Sequence, residues 1–165
     1  MHRHSWLVLL GVAVLGLFIA ILADHDPSSL IFADSTSTLW LWGYNDNGTL
    51  GDGTTTNRRT PTQEATGAAN WSAVAAGGYH TVALKSNGTL WAWGSNTYGQ
   101  LGVGTTANKT TPTQELTEAN DWFAIGAGGR HTVTLKSDGT LWAWGEGNEG
   151  RLGHGTNTNK PTSTQ

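Results

Sequence analysis

Leu39-Trp40-Leu41-Trp42-Gly43 returns as Leu90-Trp91-Ala92-Trp93-Gly94 and again as Leu141-Trp142-Ala143-Trp144-Gly145, each time 51 residues later. Other landmarks keep the same step. Pro61-Thr62-Gln63 recurs at Pro112-Thr113-Gln114, Trp71 at Trp122, and Gly77-Gly78-Tyr79-His80-Thr81 at Gly128-Gly129-Arg130-His131-Thr132. From Ala76 to Gly94, 16 of 19 residues are identical 51 positions on. Such a chain is a tandem array, in which a unit too small to bury its own apolar face stacks on the next. The step exceeds that of helix-pair solenoids, about 34 residues, and suits four short strands with their turns.

Composition agrees. Gly is 23 of 165 residues, with abundant Thr and Asn, a mixture that favours turns and short strands over helices. Lys and Arg are scattered singly in a chain of net charge -3, so no basic face is available for phosphates and nucleic-acid binding is excluded. With no cysteine there is no disulfide, thiolate metal site or thiol nucleophile.

Within one unit, 72–76, 80–85 and 89–93 read as strands, and a weaker fourth covers 62–65 with Pro61 just before it. Asn87-Gly88 and Asp138-Gly139 suit two-residue type I′ hairpins, whose central residues both need positive φ. Both alternating faces of Leu90 to Trp93 are apolar, which a sheet sandwiched between two others requires.

The pattern Gly77-Gly78-x-His80-Thr81, Leu84, Gly88-x-Leu90-Trp91-x-Trp93-Gly94-x-Asn96 and Gly99-Gln100-Leu101-Gly102-x-Gly104 closely resembles the repeat of the regulator of chromosome condensation family, from about Ser29 to Gln165. The resemblance implies a β-propeller, normally of seven blades, that serves as a protein-binding platform. Kelch repeats, of similar length and also with a double glycine, lack the Gly-x-Leu-Gly-x-Gly tail. The expected fold is all-β, a partial or open propeller of four-stranded blades. Its units are a degenerate first over about 24–60, a second over 61–111 and an incomplete third over 112–165. The first is worn, with Asp26-Pro27-Ser28-Ser29 in place of Gly77-Gly78-Tyr79-His80, and the third has Glu146-Gly147 where the second has Ser95-Asn96. About 2.7 units leave an apolar blade face open, so the chain is expected to be part of a longer propeller or to self-associate.

Ahead of the repeats, Trp6 to Ala23 is an unbroken run of apolar residues and glycine, preceded by Arg3 and followed by Asp24 and Asp26. As a helix it would be an export signal or membrane anchor over residues 1–23, with the repeats secreted or displayed outside the cytoplasm. For a cut after Ala23, the bulky Ile21 at the minus-three position is a poor match to a cleavage site and favours the anchor.

His80 and His131 occupy the same place in their units, as structural residues do, whereas catalysis needs one site with different partners around it. Zinc binding by His80, His131 and His154 would require three blades to converge. Gly99 to Gly104 lacks the Lys-Ser/Thr ending of a phosphate loop. No asymmetric set of acid, base and nucleophile stands out, and neither an enzyme nor a cofactor is expected. Positions that differ among otherwise identical units are free to meet a partner, and they concentrate in turns. They are Tyr79 and Arg130 in the Gly-Gly-x-His corner; Tyr44, Ser95 and Glu146 after Trp-Gly; Asn47, Tyr98 and Glu149 in the next loop; and Asp52, Val103 and His154 between two glycines. Of these, Tyr44, Tyr79, Tyr98, Arg130, Glu146, Glu149 and His154 are the candidate partner-binding residues, Tyr and Arg being over-represented at binding hot spots. The function expected is non-enzymatic protein binding. The alternative is an extracellular carbohydrate or cell-wall binder, in which Tyr98 would offer a flat apolar face to a sugar.

Overall fold

The computed structural model of the chain describes residues 9–14, 17–22 and 37–165, with side chains from Ser37 onward. Among these residues twelve strands form three four-stranded antiparallel sheets, each one blade. The second blade is β5 (Trp71–Ala76), β6 (His80–Lys85), β7 (Leu90–Gly94) and β8 (Lys109–Gln114), side by side in chain order. The third repeats it with β9 (Trp122–Ala127), β10 (His131–Lys136), β11 (Leu141–Gly145) and β12 (Lys160–Thr164). The first contains β3 (Leu39–Gly43) and the outer strand β4 (Arg58–Gln63).

The first blade corrects the expectation of an apolar amino-terminal helix. Where that helix was expected lie strands β1 (Leu9–Val14) and β2 (Leu17–Leu22), in the spatial order β2-β1-β3-β4. Leu9 pairs with Leu22, and Val14 pairs both with Leu17 and with Leu39 of the Trp-bearing strand. An unbroken apolar run has no periodicity to separate helix from strand, and a blade buried on both faces accepts an apolar residue at every position. No helix among the described residues is long and apolar enough to cross a membrane. The remaining residues of the run, the cut after Ala23 and Asp26 to Ser29 lie outside the described residues.

Two local expectations also change. The hairpin between β6 and β7 is not type I′. Gly88 has φ +77° but Asn87 is not among the non-glycine residues with positive φ, and the Gly88 amide donates to the Lys85 carbonyl at 2.9 Å. The loop is therefore a three-residue connection with glycine in the left-handed place. Asn87 contributes through its side chain, whose Oδ1 accepts from the Thr89 amide and hydroxyl; Asp138 does the same for Thr140. The outer strand begins earlier than 62–65, at Arg58, and carries Pro61 inside it. An edge strand tolerates this because the missing donor falls where the register slips, between Leu41 and Gly43.

Blades stack as the repeat demands. Leu39, Leu41 and Leu50 of the first meet Trp71, Val74, Ala83 and Trp93 of the second. Val82, Leu84 and Leu90 of the second meet Trp122, Ile125 and Trp144 of the third. Leu90 and Trp93 are each fully buried, on opposite sides of β7, and burial of each such side chain stabilises by about 1.5–3 kcal/mol. The tryptophans also pack on one another, Trp71 against Trp91 and Trp122 against Trp142 edge to face at 6.2 and 6.1 Å. Each interface is latched by a carbonyl of the preceding blade. Thr49 O accepts from Trp93 Nε1 and Thr81 Oγ1, and Gln100 O accepts from Trp144 Nε1 and Thr132 Oγ1. The matching face of the third blade is open: Leu141 is 56% and Leu135 37% exposed, against 0% and 3% for Leu90 and Leu84.

Candidate interaction surface

The loops that follow each Trp-Gly converge because the backbone fixes them. Gly94, at φ +104°, turns the chain so closely that a Cβ would lie 2.8 Å from His80 Cα. Ser95 N then donates to Tyr79 O at 2.9 Å, and Glu146 N to Arg130 O at the same distance. The variable residue of the Gly-Gly-x-His corner is thus held beside the variable residue after Trp-Gly, in both blades.

From there the side chains bridge blades. The Arg130 guanidinium carbon lies 5.7 Å from the centre of the Tyr79 ring and 5.1 Å from that of Tyr98, and Nη1 is 3.4 Å from the Tyr98 hydroxyl. Glu146, almost fully buried, places Oε1 3.7 Å from Arg130 Nη1 and Oε2 2.6 Å from Arg151 Nη1. Glu149, its side chain 88% exposed, reaches Arg151 at 3.5 Å. At the other end the Asp46 carboxylate beside Tyr44 holds the phenol above its ordinary range; burial and the neighbouring Tyr79 push the same way. These residues form a strip in which Tyr79, Arg130, Tyr98 and Glu146 are linked across the second and third blades, Glu149 joins through Arg151, and Tyr44 of the first blade is near enough to Tyr79 to interact with it electrostatically. His154 stands apart on a turn, with Nε2 3.4 Å from Thr156 Oγ1.

The third blade departs from the second for a visible reason. In the second, the Asn96 amide donates to the carbonyls of Thr105 and Ala107 and its Oδ1 accepts from Leu101 N, organising the loop. Asn45 accepts from Leu50 N in the same way. Gly147 has no such amide, and the loop is held instead by Glu146 with Arg151 and Asn148. Sequence reasoning missed Arg151 and Asp46. The signal for Arg151 was present, since Thr49, Gln100 and Arg151 occupy one repeat position and all differ.

The repeated histidines belong to the frame. His80 is fully buried, with Nε2 2.9 Å from Thr132 Oγ1. Thr132 gives its own proton to Gln100 O, so the imidazole donates through Nε2. Burial, with a smaller contribution from His131, pushes His80 down to about 3. His131 is lowered by burial and then by Arg151, with Glu146 opposing. Among the described residues no group of three or more His, Cys, Asp or Glu side chains could hold a metal ion.

With this geometry in view, comparison with known proteins is direct. The family model described as "Regulator of chromosome condensation (RCC1) repeat" matches residues 37–84, 87–135 and 138–165, and a second model of the same description matches 71–100 and 124–151. This chain belongs to the regulator of chromosome condensation repeat family. Among relatives, the ultraviolet-B receptor UVR8 of Arabidopsis thaliana is 32% identical over 140 residues, covering 84% of this chain and 31% of the receptor. The protein RCC2 homolog of Xenopus laevis is 34% identical over 158 residues, covering 93% of this chain and 29% of that protein. The chain therefore spans under a third of the length of these relatives. Among solved structures, Prp20p of Saccharomyces cerevisiae superposes with a TM-score of 0.70 at 21% identity, over 84% of this chain and 36% of Prp20p. Human WBSCR16 does so with a TM-score of 0.67 at 21% identity, over 84% of this chain and 37% of its own. The blades of this family member are thus those of a propeller.

Proposed function

We propose that this chain is a non-enzymatic protein-interaction module that meets its partner with the strip from Tyr44 to Glu149. The observation that carries this reading is the seating of Arg130 of the third blade between Tyr79 and Tyr98 of the second, with the buried carboxylate of Glu146 behind it. Aromatic and arginine side chains dominate binding hot spots, and rigid strands hold these with little entropy left to lose. Prp20p supports the class of function by analogy, its structure being described together with binding to Gsp1p and histones. The test is site-specific photo-crosslinking from position 98 in cells, followed by affinity measurement on the captured protein. Replacing Tyr79, Tyr98 and Arg130 together by Ala should cost at least about 2 kcal/mol, roughly 30-fold. Unchanged affinity would remove the strip from the interface, and specific binding on a glycan array instead of a protein would support the carbohydrate alternative.

Two finer points belong to the same reading. The open face of the third blade, with Leu135 and Leu141 exposed, is suited to another blade of the same kind, from further repeats or a second copy. Light scattering of the purified chain across concentrations tests self-association: a mass that stays monomeric excludes the second copy. Display outside the membrane, or secretion, rests on the charge order around the run from Trp6 to Ala23. It requires that run to leave the blade. Fractionation with protease protection decides, because a soluble chain in which residues 9–22 resist proteolysis keeps them as strands.

A further inference from the structure

Two joints hold neighbouring blades together at both interfaces inside the chain. In one, the indole Nε1 of the incoming blade donates to a carbonyl of the preceding blade, Trp93 to Thr49 O at 2.9 Å and Trp144 to Gln100 O at 3.0 Å. In the other, a loop amide of the preceding blade donates to the outer strand of the incoming one, Gly53 N to Thr110 O at 2.9 Å and Gly104 N to Pro161 O at 3.1 Å. Glycines permit the close approach. A Cβ at Gly51 or Gly102 would lie 2.7 Å from the indole nitrogen, and one at Gly48 or Gly99 would strike Thr110 Cα or Pro161 Cα.

The third blade carries the same socket facing solvent. Arg151 and Gly155 stand one step after Gln100 and Gly104, and neither Arg151 O nor Gly155 N has a partner among the described residues. A Cβ at Gly150 or Gly153 would meet none of those residues within 4 Å. Beside them lies an apolar groove of about 220 Å³, lined by Ile125, Val133, Leu135 and Leu141 among others. The first blade carries the matching plug. Gly11 pairs with Trp42 and Val12 with Leu41, in the register of Thr81 with Trp93 and Val82 with Ala92. Leu39 and Leu41 face the second blade, so by alternation along β3 Trp42 points the other way. Its indole is half-buried, belongs to neither buried cluster and makes no hydrogen bond among the described residues. Arg59, one step before Thr110, lies on the outer strand β4.

We propose that copies of this chain join head to tail, the first blade of one copy docking on the third blade of the next, with Trp42 Nε1 donating to Arg151 O and Gly155 N donating to Arg59 O. This rests on the reading of the third-blade face as one that takes another blade. The occupant is a second copy because the donor and the acceptor of each joint are both present in one chain, on opposite blades. Two third-blade faces set against each other would oppose carbonyl to carbonyl and offer no indole. A head-to-tail contact closes a ring or continues, so association need not stop at two. The joint should be reversible. Thr81 and Thr132 give each internal carbonyl a second donor, and Gly11 stands in that register in the first blade, so the outer carbonyl receives one bond where the internal ones receive two.

The test is sedimentation velocity on the full chain, with Leu141→Asp to block the socket and Trp42→Asp to block the plug, each checked for unchanged circular dichroism. Leu141 is exposed and Trp42 lies outside both buried clusters, so neither change removes a buried contact. The unaltered chain should gain mass with concentration, and each variant alone should stay monomeric. Mixed one to one, the variants should form a dimer and nothing larger, since one intact plug meets one intact socket. Trp42→Phe keeps a ring and loses the donor, and should weaken association about two- to tenfold. An unaltered chain that stays monomeric, a mixture that stays monomeric, or a Trp42→Asp chain that still associates with itself would overturn the proposal. If association needs Leu141 but not Trp42, the open face still takes a partner and only the head-to-tail pairing falls; if it needs neither, that face is not the interface.

Discussion

Acid should destabilise this protein through His80 well before its carboxylates are protonated. The imidazole is fully buried, its Nε2 bound to Thr132 and its Nδ1 without a hydrogen-bond partner, and burial carries it from the ordinary 6.5 down to about 3. Between those two values the unfolded chain binds a proton that the folded chain refuses. The stability is therefore full above about pH 6.5 and is lost as pH falls toward 3. At about pH 5, still well above the folded value, the loss is set by the distance below 6.5: about 1.5 units at 1.36 kcal/mol each, or about 2 kcal/mol. Urea unfolding followed by tryptophan fluorescence, at about pH 7.5 and about pH 5, measures it. His80→Asn isolates the share of this residue, because the variant cannot titrate there and its stability should change by about 2 kcal/mol less between the two conditions. His131→Asn is the internal comparison. Its imidazole is half-buried and lacks a threonine partner, so it should account for less of the acid sensitivity. If His80→Asn retained the full acid sensitivity, the buried neutral imidazole would not be its source.

Leu90→Ala should cost about 2–5 kcal/mol, because the side chain is fully enclosed by the third blade, whereas Leu141→Ala should cost under about 1 kcal/mol in a dilute monomer. Measured by urea unfolding across protein concentrations, a cost at Leu141 that rises with concentration would show its face covered by another copy. Glu146→Gln removes the partner of both Arg130 and Arg151 from an almost buried place and should destabilise by about 1–3 kcal/mol. It also takes away the charge that raises His131, so the His131 titration followed by NMR should move to lower pH; no movement would contradict that electrostatic contact. Gly88→Ala combines φ +77° with a Cβ driven into the Asn120 carbonyl and should cost more than about 1 kcal/mol by thermal or urea unfolding, while Gly139→Ala, with nothing near its Cβ, should suffer the backbone strain alone.

The repeat was legible because its residues answer to one another across the blade interface. Trp93 and Trp144 recur because each must donate to a carbonyl of the preceding blade, Thr49 O or Gln100 O, and Leu39 and Leu90 because each meets a tryptophan of the next. A side chain with the same partner in every unit leaves a period in the sequence. The strip proposed for interaction has the opposite trace, a failure to repeat, which marks Tyr79, Tyr98 and Arg130 as variable but does not show that they touch. Their contact depends on the backbone bonds from Ser95 to Tyr79 and from Glu146 to Arg130, which involve atoms common to all residues and so are silent in a sequence. Arg151 was passed over for a related reason. Its repeat position serves the frame through the main chain in the first two blades, where Thr49 and Gln100 offer carbonyls, and forms an ion pair through its side chain only in the third.

The first blade is where residue pattern and fold part company, and the reason is physical. A membrane interior and the space between two blades both exclude water, and both therefore ask for a run of apolar residues. They differ in where the backbone finds its hydrogen bonds: within the segment for a membrane helix, and from neighbouring strands for a blade. Residues 9–22 have such a neighbour in β3, which offers Leu39 to Trp42 to β1 along one edge, and β1 and β2 supply each other on the second. Without β1, that edge of β3 would leave its amides and carbonyls unpaired beside an apolar face. The decisive partner of the apolar run is thus the strand of Leu39-Trp40-Leu41-Trp42, the same motif whose recurrence announces the fold.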